Sequence, residues 1–81
     1  MKVSVKLFAV ARQRIGCNAI DVEISPTATT GQLRAAIVEQ FPRLKDILPH
    51  SRLAVANEYA DDSVPLSTAV EIALIPPVSG G

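Results

Sequence analysis

The segment from Thr29 to Pro42 limits this chain more than any other, because it is the only long stretch with helical period and both of its ends are marked. Thr29-Thr30-Gly31-Gln32 reads as a capping box, in which the Thr29 hydroxyl and the Gln32 side chain satisfy opposing backbone donors at the start of a helix. Leu33, Ala36, Ile37 and Phe41 recur at helical spacing, Gln32, Arg34 and Glu39 fall mainly on other faces, and Pro42 forbids another interior turn. Burying Leu33, Ile37 and Phe41 is worth about 1.5 to 3 kcal/mol each. A surface ion pair adds only about 0.2 to 0.5 kcal/mol. Packing against a sheet, rather than charge, should therefore hold this helix.

The flanking segments supply that sheet. Val3, Val5 and Leu7 alternate with polar residues from Lys2 onward, the period of a half-buried strand. The stretch from Arg12 to Asn18 interrupts the pattern with charge, Gly16 and Asn18; Ile20, Val22 and Ile24 then resume it, so the first two strands read as a hairpin. After the helix, Leu44, Ile47 and Leu48 between Pro42 and Pro49 suggest a short 3-10 turn covering an edge of the core. Arg52 to Ala56 reads as a third strand, Asn57-Glu58-Tyr59 as a turn or short strand, Asp61-Asp62-Ser63 as a polar loop, and Val70 to Ile75 as the last strand. In 81 residues this order fits an α+β fold of the β-grasp, ubiquitin-like kind, a mixed sheet packed against one main helix. Residues 1–75 would form that single domain, and residues 76–81 an extended, flexible C-terminal tail.

Charge and composition exclude several functions. Eight basic and eight acidic side chains cancel, and aromatic residues are few, so neither a phosphate backbone nor stacked bases would be held; nucleic acid is not an expected partner. The apolar runs Leu53 to Ala56 and Ile72 to Val78 fall far short of the roughly 20 residues that span a bilayer. The N-terminus lacks the apolar core and cleavage site of a secretory signal, which gives a cytoplasmic expectation. Cys17 is the only cysteine, so no internal disulfide can form, and it is expected to be a small packing residue beside a turn. No Ser/His/Asp grouping, Cys/His pair or metal-ligand cluster can be assembled; Asp61 and Asp62 read as a solvated loop and His50 as an exposed loop residue.

The remaining chemistry lies in Pro76-Pro77-Val78-Ser79-Gly80-Gly81. Two prolines bias the chain toward an extended form, and two glycines remove side-chain bulk, so a slender segment can thread a narrow cleft with the Gly81 carboxylate at its tip. With a pKa of about 3.5 that carboxylate is ionised and unreactive at neutral pH. ATP-dependent adenylation by another protein would activate it. The plainer reading is a frayed end.

The ending Glu71-Ile72-Ala73-Leu74-Ile75-Pro76-Pro77-Val78-Ser79-Gly80-Gly81 resembles the terminus of the MoaD family, the small, sulfur-carrier subunits of molybdopterin synthase. Leu7-Phe8-Ala9 with Ala11-Arg12, and Ala54-Val55 with Asn57-Glu58-Tyr59, extend the resemblance over essentially the whole chain. A bare Gly-Gly is shared by ubiquitin and other carriers, whereas this longer ending is specific. The resemblance implies that Gly81, with Gly80 before it, is adenylated by a ubiquitin-activating-like adenylyltransferase that uses ATP. The transient glycyl adenylate is then converted to a thiocarboxylate by a sulfur donor protein. The thiocarboxylate gives sulfur to cyclic pyranopterin monophosphate inside the large synthase subunit, in a heterotetramer. No cofactor would be bound permanently, and the small subunit alone would have no activity. The family commonly has Gly-Asp before the last-strand glutamate, where this chain has Ala69-Val70, which leaves the turn there in question.

The resemblance also places Phe8, Tyr59 and Ile75 on an apolar surface that binds both protein partners, with Arg12 near the base of the tail and Pro76, Pro77, Val78 and Ser79 entering the partner. Phe8 follows inward-facing Leu7 and so should point to the sheet face that a lone helix need not cover. Tyr59 and Ile75 are open between partner contact and packing, and Arg12 between an acidic partner group and solvent. Two other functions stay open: a sulfur carrier for thiazole, cysteine or transfer RNA, and a ubiquitin-like modifier joined to lysine.

Overall fold

In the computed structural model, residues 1–66 and 71–77 are described. Five strands form one mixed sheet: β1 (Lys2–Leu7), β2 (Ala19–Glu23), β3 (Arg52–Val55), β4 (Glu58–Ala60) and β5 (Ile72–Ile75), in the order β2-β1-β5-β3-β4. β1 and β5 pair in parallel, with Leu7 opposite Leu74, and the other pairings are antiparallel. Helix α2 (Thr30–Gln40) covers one face. The α+β, ubiquitin-like β-grasp expectation holds. Of the last strand as read from the sequence, Val70 lies outside the described residues, as do Ala69 and the turn it bears on, and Glu71 precedes the strand, which starts at Ile72.

The core follows from alternation. Val3, Val5 and Leu7 of β1, Ile20 and Val22 of β2, Leu53 of β3, and Ile72 and Leu74 of β5 are buried with Leu33 and Ile37 of α2. Leu44, Ile47 and Leu48 close the side, carried on two 3-10 turns, Pro42–Leu44 and Leu48–His50, where the sequence suggests one. Phe41 is half-buried against this cluster at the C-cap of α2.

Three sequence expectations are corrected. The link between β1 and β2 holds a second helix, α1 (Ala9–Ile15), rather than a polar hairpin loop. Only Ala11 of α1 is fully buried, so the helix leaves no apolar stripe to read, and its signals are the helix-forming alanines and Gly16. Gly16 ends it at φ 85°, a left-handed conformation that suits glycine, and donates its N–H to Arg12 O at 2.8 Å. Cys17, the next residue, is exposed rather than packed, because the turn carries it outside the core. The third strand stops at Val55, since Ala56 and Asn57 both take positive φ (54° and 69°) in the two-residue turn to β4.

Both halves of the capping box are present. Thr29 N–H donates to Gln32 Oε1 at 2.8 Å, while Gln32 N–H reaches Thr29 Oγ1 at 3.5 Å. The hydroxyl half is at the long limit of a hydrogen bond. We therefore expect Thr29→Ala to fall at the lower end of the usual cap loss of about 0.5–2 kcal/mol. Gln32→Ala should cost at least as much, and urea titration of both variants checks the order.

Polar contacts fasten the rest to α2. Thr30 donates its N–H and hydroxyl to Val64 O at 2.9 and 3.1 Å. Gly31 lies so close to the loop that an added Cβ would sit 3.0 Å from Asp62 Cβ. Arg34, read from the sequence as a surface residue, instead donates to Leu48 O (2.9 Å) and Ser51 O (2.6 Å) and pairs with Asp62 (3.3 Å). Gln40 donates to Glu23 O at 2.8 Å and accepts from Glu23 N–H at 3.0 Å, covering the end of the exposed β2 edge much as another strand would.

Candidate functional site

Alternation decides what the sheet shows on the side away from α2. Because Ile72 and Leu74 are buried, Ala73 and Ile75 face the other way. The register then sets two rows across that face. Ile75 lies opposite Arg52 of β3. One step back, Lys6, Ala73, Ala54 and Tyr59 lie side by side on β1, β5, β3 and β4. Ala73 and Ala54 make a low floor between Lys6 and Tyr59.

Since β1 and β5 run parallel, β5 ends beside the end of β1, and Pro76 leaves the sheet next to Phe8. Phe8 reaches the surface by a different route from the one its strand position suggests: it has left β1 and is the N-cap residue of α1, 45% exposed. Arg12, read as a loop residue, lies on α1 one turn further on, where its N–H approaches Phe8 O at 3.4 Å. Tyr59 is 61% exposed with the Arg52 guanidinium 4.9 Å from its ring centroid, a cation–π distance. Ile75 is half-buried, Pro76 buried and Pro77 exposed. Val78, Ser79, Gly80 and Gly81 lie outside the described residues.

Phe8, Arg12, Ile75 and Pro76 are thus gathered at one end of the sheet, with Tyr59 across the alanine floor. Arg52 belongs with them and was missed, although the signal was present: the residue before buried Leu53 in a strand must face outward. Two depressions flank the end of β5. One, of about 340 Å3, is lined by Lys6, Leu7, Phe8, Arg12, Asn18 and Ala19. The other, of about 350 Å3, is lined by Arg52, Tyr59, Ala60 and Asp61.

The charges near these depressions are not equally engaged. Lys6 pairs with Glu71 at 3.0 Å. Asp61 accepts from the Ser63 hydroxyl at 2.6 Å and from its N–H at 3.0 Å, which holds its carboxyl below the ordinary 3.8. Among the described residues neither Arg12 nor Arg52 has a carboxylate at ion-pair distance. Among those residues, too, no group of three His, Cys, Asp or Glu side chains is placed to hold a metal, and no helix is long and apolar enough to cross a membrane. The surface combines exposed aromatic rings, a low floor and two guanidinium groups around the point where the chain leaves its sheet.

Comparison with known proteins gives this surface its setting. The sequence profile of the ThiS family matches residues 5–81. The chain belongs to the ThiS family. Among its relatives is the molybdopterin synthase sulfur carrier subunit of Caenorhabditis briggsae, 39% identical over 100% of this chain and 99% of that one. Among solved structures, SAMP1 from Haloferax volcanii superposes with a TM-score of 0.85 at 28% identity, covering 100% of both chains. A complex of subunits 1 and 2 of the molybdopterin-converting factor from Helicobacter pylori contains a chain with TM-score 0.69 at 28% identity, again with 100% of both covered. In a ThiS-family chain, the face around Phe8, Ile75 and Tyr59 and the segment from Pro76 onward are the parts to test for function.

Proposed function

We propose that this chain is the sulfur-carrier subunit of molybdopterin synthase, and that it acts through the carboxyl group of Gly81. The observation that carries the reading is the end-to-end similarity to a named sulfur carrier subunit at 39% identity. The chemistry agrees with a carrier that has no catalytic groups of its own. An ionised carboxylate resists displacement of its oxygen until it is made into an anhydride. Adenylation at Gly81 by a partner adenylyltransferase, with ATP as the donor, forms that anhydride and releases pyrophosphate. Sulfide equivalents from a sulfur donor protein then displace AMP and leave a thiocarboxylate. In the large synthase subunit the thiocarboxylate gives its sulfur to cyclic pyranopterin monophosphate, and the Gly81 carboxylate is regenerated. The face holding Phe8, Ile75, Arg12 and Tyr59 docks on both protein partners in turn, while Pro77, Val78 and Ser79, following Pro76 that is buried at the base of the tail, carry Gly80 and Gly81 into the partner's cleft. The Helicobacter pylori complex supports a large-subunit partner for this role.

Incubation with the adenylating partner, ATP and a sulfur donor should raise the intact mass by the exchange of one oxygen for one sulfur, localised to Gly81 by fragmentation. An unchanged mass under conditions that convert a known carrier would rule the reading out. A second reading, a ubiquitin-like protein modifier, is favoured by the superposition on Haloferax volcanii SAMP1, whose TM-score of 0.85 exceeds the 0.69 of the molybdopterin-converting-factor chain. Gly-Gly remnants on lysines in digests of cells making the protein would support it, and their absence would weigh against it.

A further inference from the structure

Pro76 differs from the residue that follows it. It continues the inward alternation of Ile72 and Leu74 and is buried, whereas Pro77 is exposed. The sheet also stops here. The pairings of β5 end at Leu74 with β1 and at Ile75 with β3, and a proline has no N–H with which to carry either ladder further. Both backbone angles of this one residue are restricted as well. Its own ring holds φ near about −65°, and the ring of Pro77 excludes the helical range of ψ, leaving an extended one. The chain therefore leaves the domain from a buried ring and in a narrow range of directions.

We propose that Pro76 is a positioning residue, the fixed mount that sets the heading and the reach of the reactive end, and not a contact that a partner grips. The inference rests on the proposed role as a sulfur carrier acting through Gly81 and adds the point from which its reach is measured. Beyond Pro76 come the five residues Pro77 to Gly81, which span at most about 18 Å at about 3.3–3.6 Å each. Each partner then has to hold its reacting atom within that distance of the end of β5. A fixed mount also removes in advance some of the freedom that the segment loses on entering a cleft. Releasing the backbone of one such residue should slow the reaction about fivefold to thirtyfold. Docking by the sheet face governs KM, and placement of the terminus within the docked pair governs kcat, so the mount acts on kcat.

The test follows thiocarboxylate formation by intact mass, with the full chain, the adenylating partner, ATP and a sulfur donor, and extracts kcat and KM for each variant. Pro77→Ala frees ψ of Pro76 without touching the buried ring, and Pro77 is exposed, so its urea midpoint should match the parent. Its kcat should fall about fivefold with KM unchanged. Pro76→Val keeps an apolar inward side chain but frees φ, and kcat should fall at least as far under conditions where urea titration shows it folded. One alanine inserted between Pro77 and Val78 should lower kcat further still, and deleting Ser79 from that variant should restore most of the loss by returning the original reach. A raised KM at parent kcat in both proline variants would make this pair a partner contact and overturn the mount while leaving the carrier role intact. Parent values of both constants in Pro77→Ala would overturn it too, as would failure of the Ser79 deletion to restore activity. No gain of sulfur by the parent chain, under conditions that convert a known carrier, would instead remove the carrier reading and this inference with it.

Discussion

One alanine appended after Gly81 is expected to abolish thiocarboxylate formation and pterin sulfuration while leaving the fold unchanged. Adenylation acts on whichever carboxyl ends the chain, and one more residue moves that group by about 3.3–3.6 Å along an extended chain. Misplacing reacting groups by about 1 Å already costs about a hundredfold in rate, so a displacement several times larger should leave no measurable product. The addition follows Gly81, after the last strand in the chain, and changes no core residue, so circular dichroism and thermal unfolding should match the parent protein. Sulfur transfer at the parent rate by the extended chain would show that the terminal carboxyl is not the reactive group.

The second large effect is on the fold. Leu74→Ala should cost about 2–5 kcal/mol, a substantial part of the roughly 5–15 kcal/mol that holds a domain together. Leu74 is fully buried on the middle strand, opposite Leu7 on one side and Leu53 on the other, so the cavity would be walled by two neighbouring strands that cannot both move inward. The urea midpoint should fall sharply with the slope retained. A loss below about 1 kcal/mol would mean that the sheet closes around the smaller side chain. The contrast with Ile75→Ala is instructive, because Ile75 is only half-buried on the open face and its loss should be felt first in partner binding.

What could be read from the sequence follows the range of the forces involved. The Thr29–Gln32 cap, the inward rows of β1 and β2, and 3-10 geometry after Pro42 are local patterns that stand in the structure, although two such turns form where the sequence suggests one. Helix α1 was not legible because it buries one alanine and turns Arg12, Gln13 and Arg14 to solvent, so it looks like a charged turn. Phe8 was assigned the right exposure for the wrong reason, since alternation does not show that the strand ends at Leu7. The clasp of Arg34 on Leu48 O and Ser51 O depends on backbone carbonyls 14 and 17 residues away, which no local pattern announces. Arg52 was readable as outward-facing but not as the neighbour of Ile75 and Tyr59, because that proximity depends on the pairing of β3 with both β5 and β4.

The place of β5 has a consequence for biosynthesis. Residues 72–75 lie between β1 and β3, so until they have left the ribosome the nascent chain holds only two separate ribbons, β1 with β2 and β3 with β4. Two-stranded ribbons are marginal on their own. A product of premature termination before Ile72 therefore lacks the strand that brings Phe8 and Arg52 to one face. The same last stretch of chain thus completes the sheet face and carries the C-terminal segment, so neither is presented without the other.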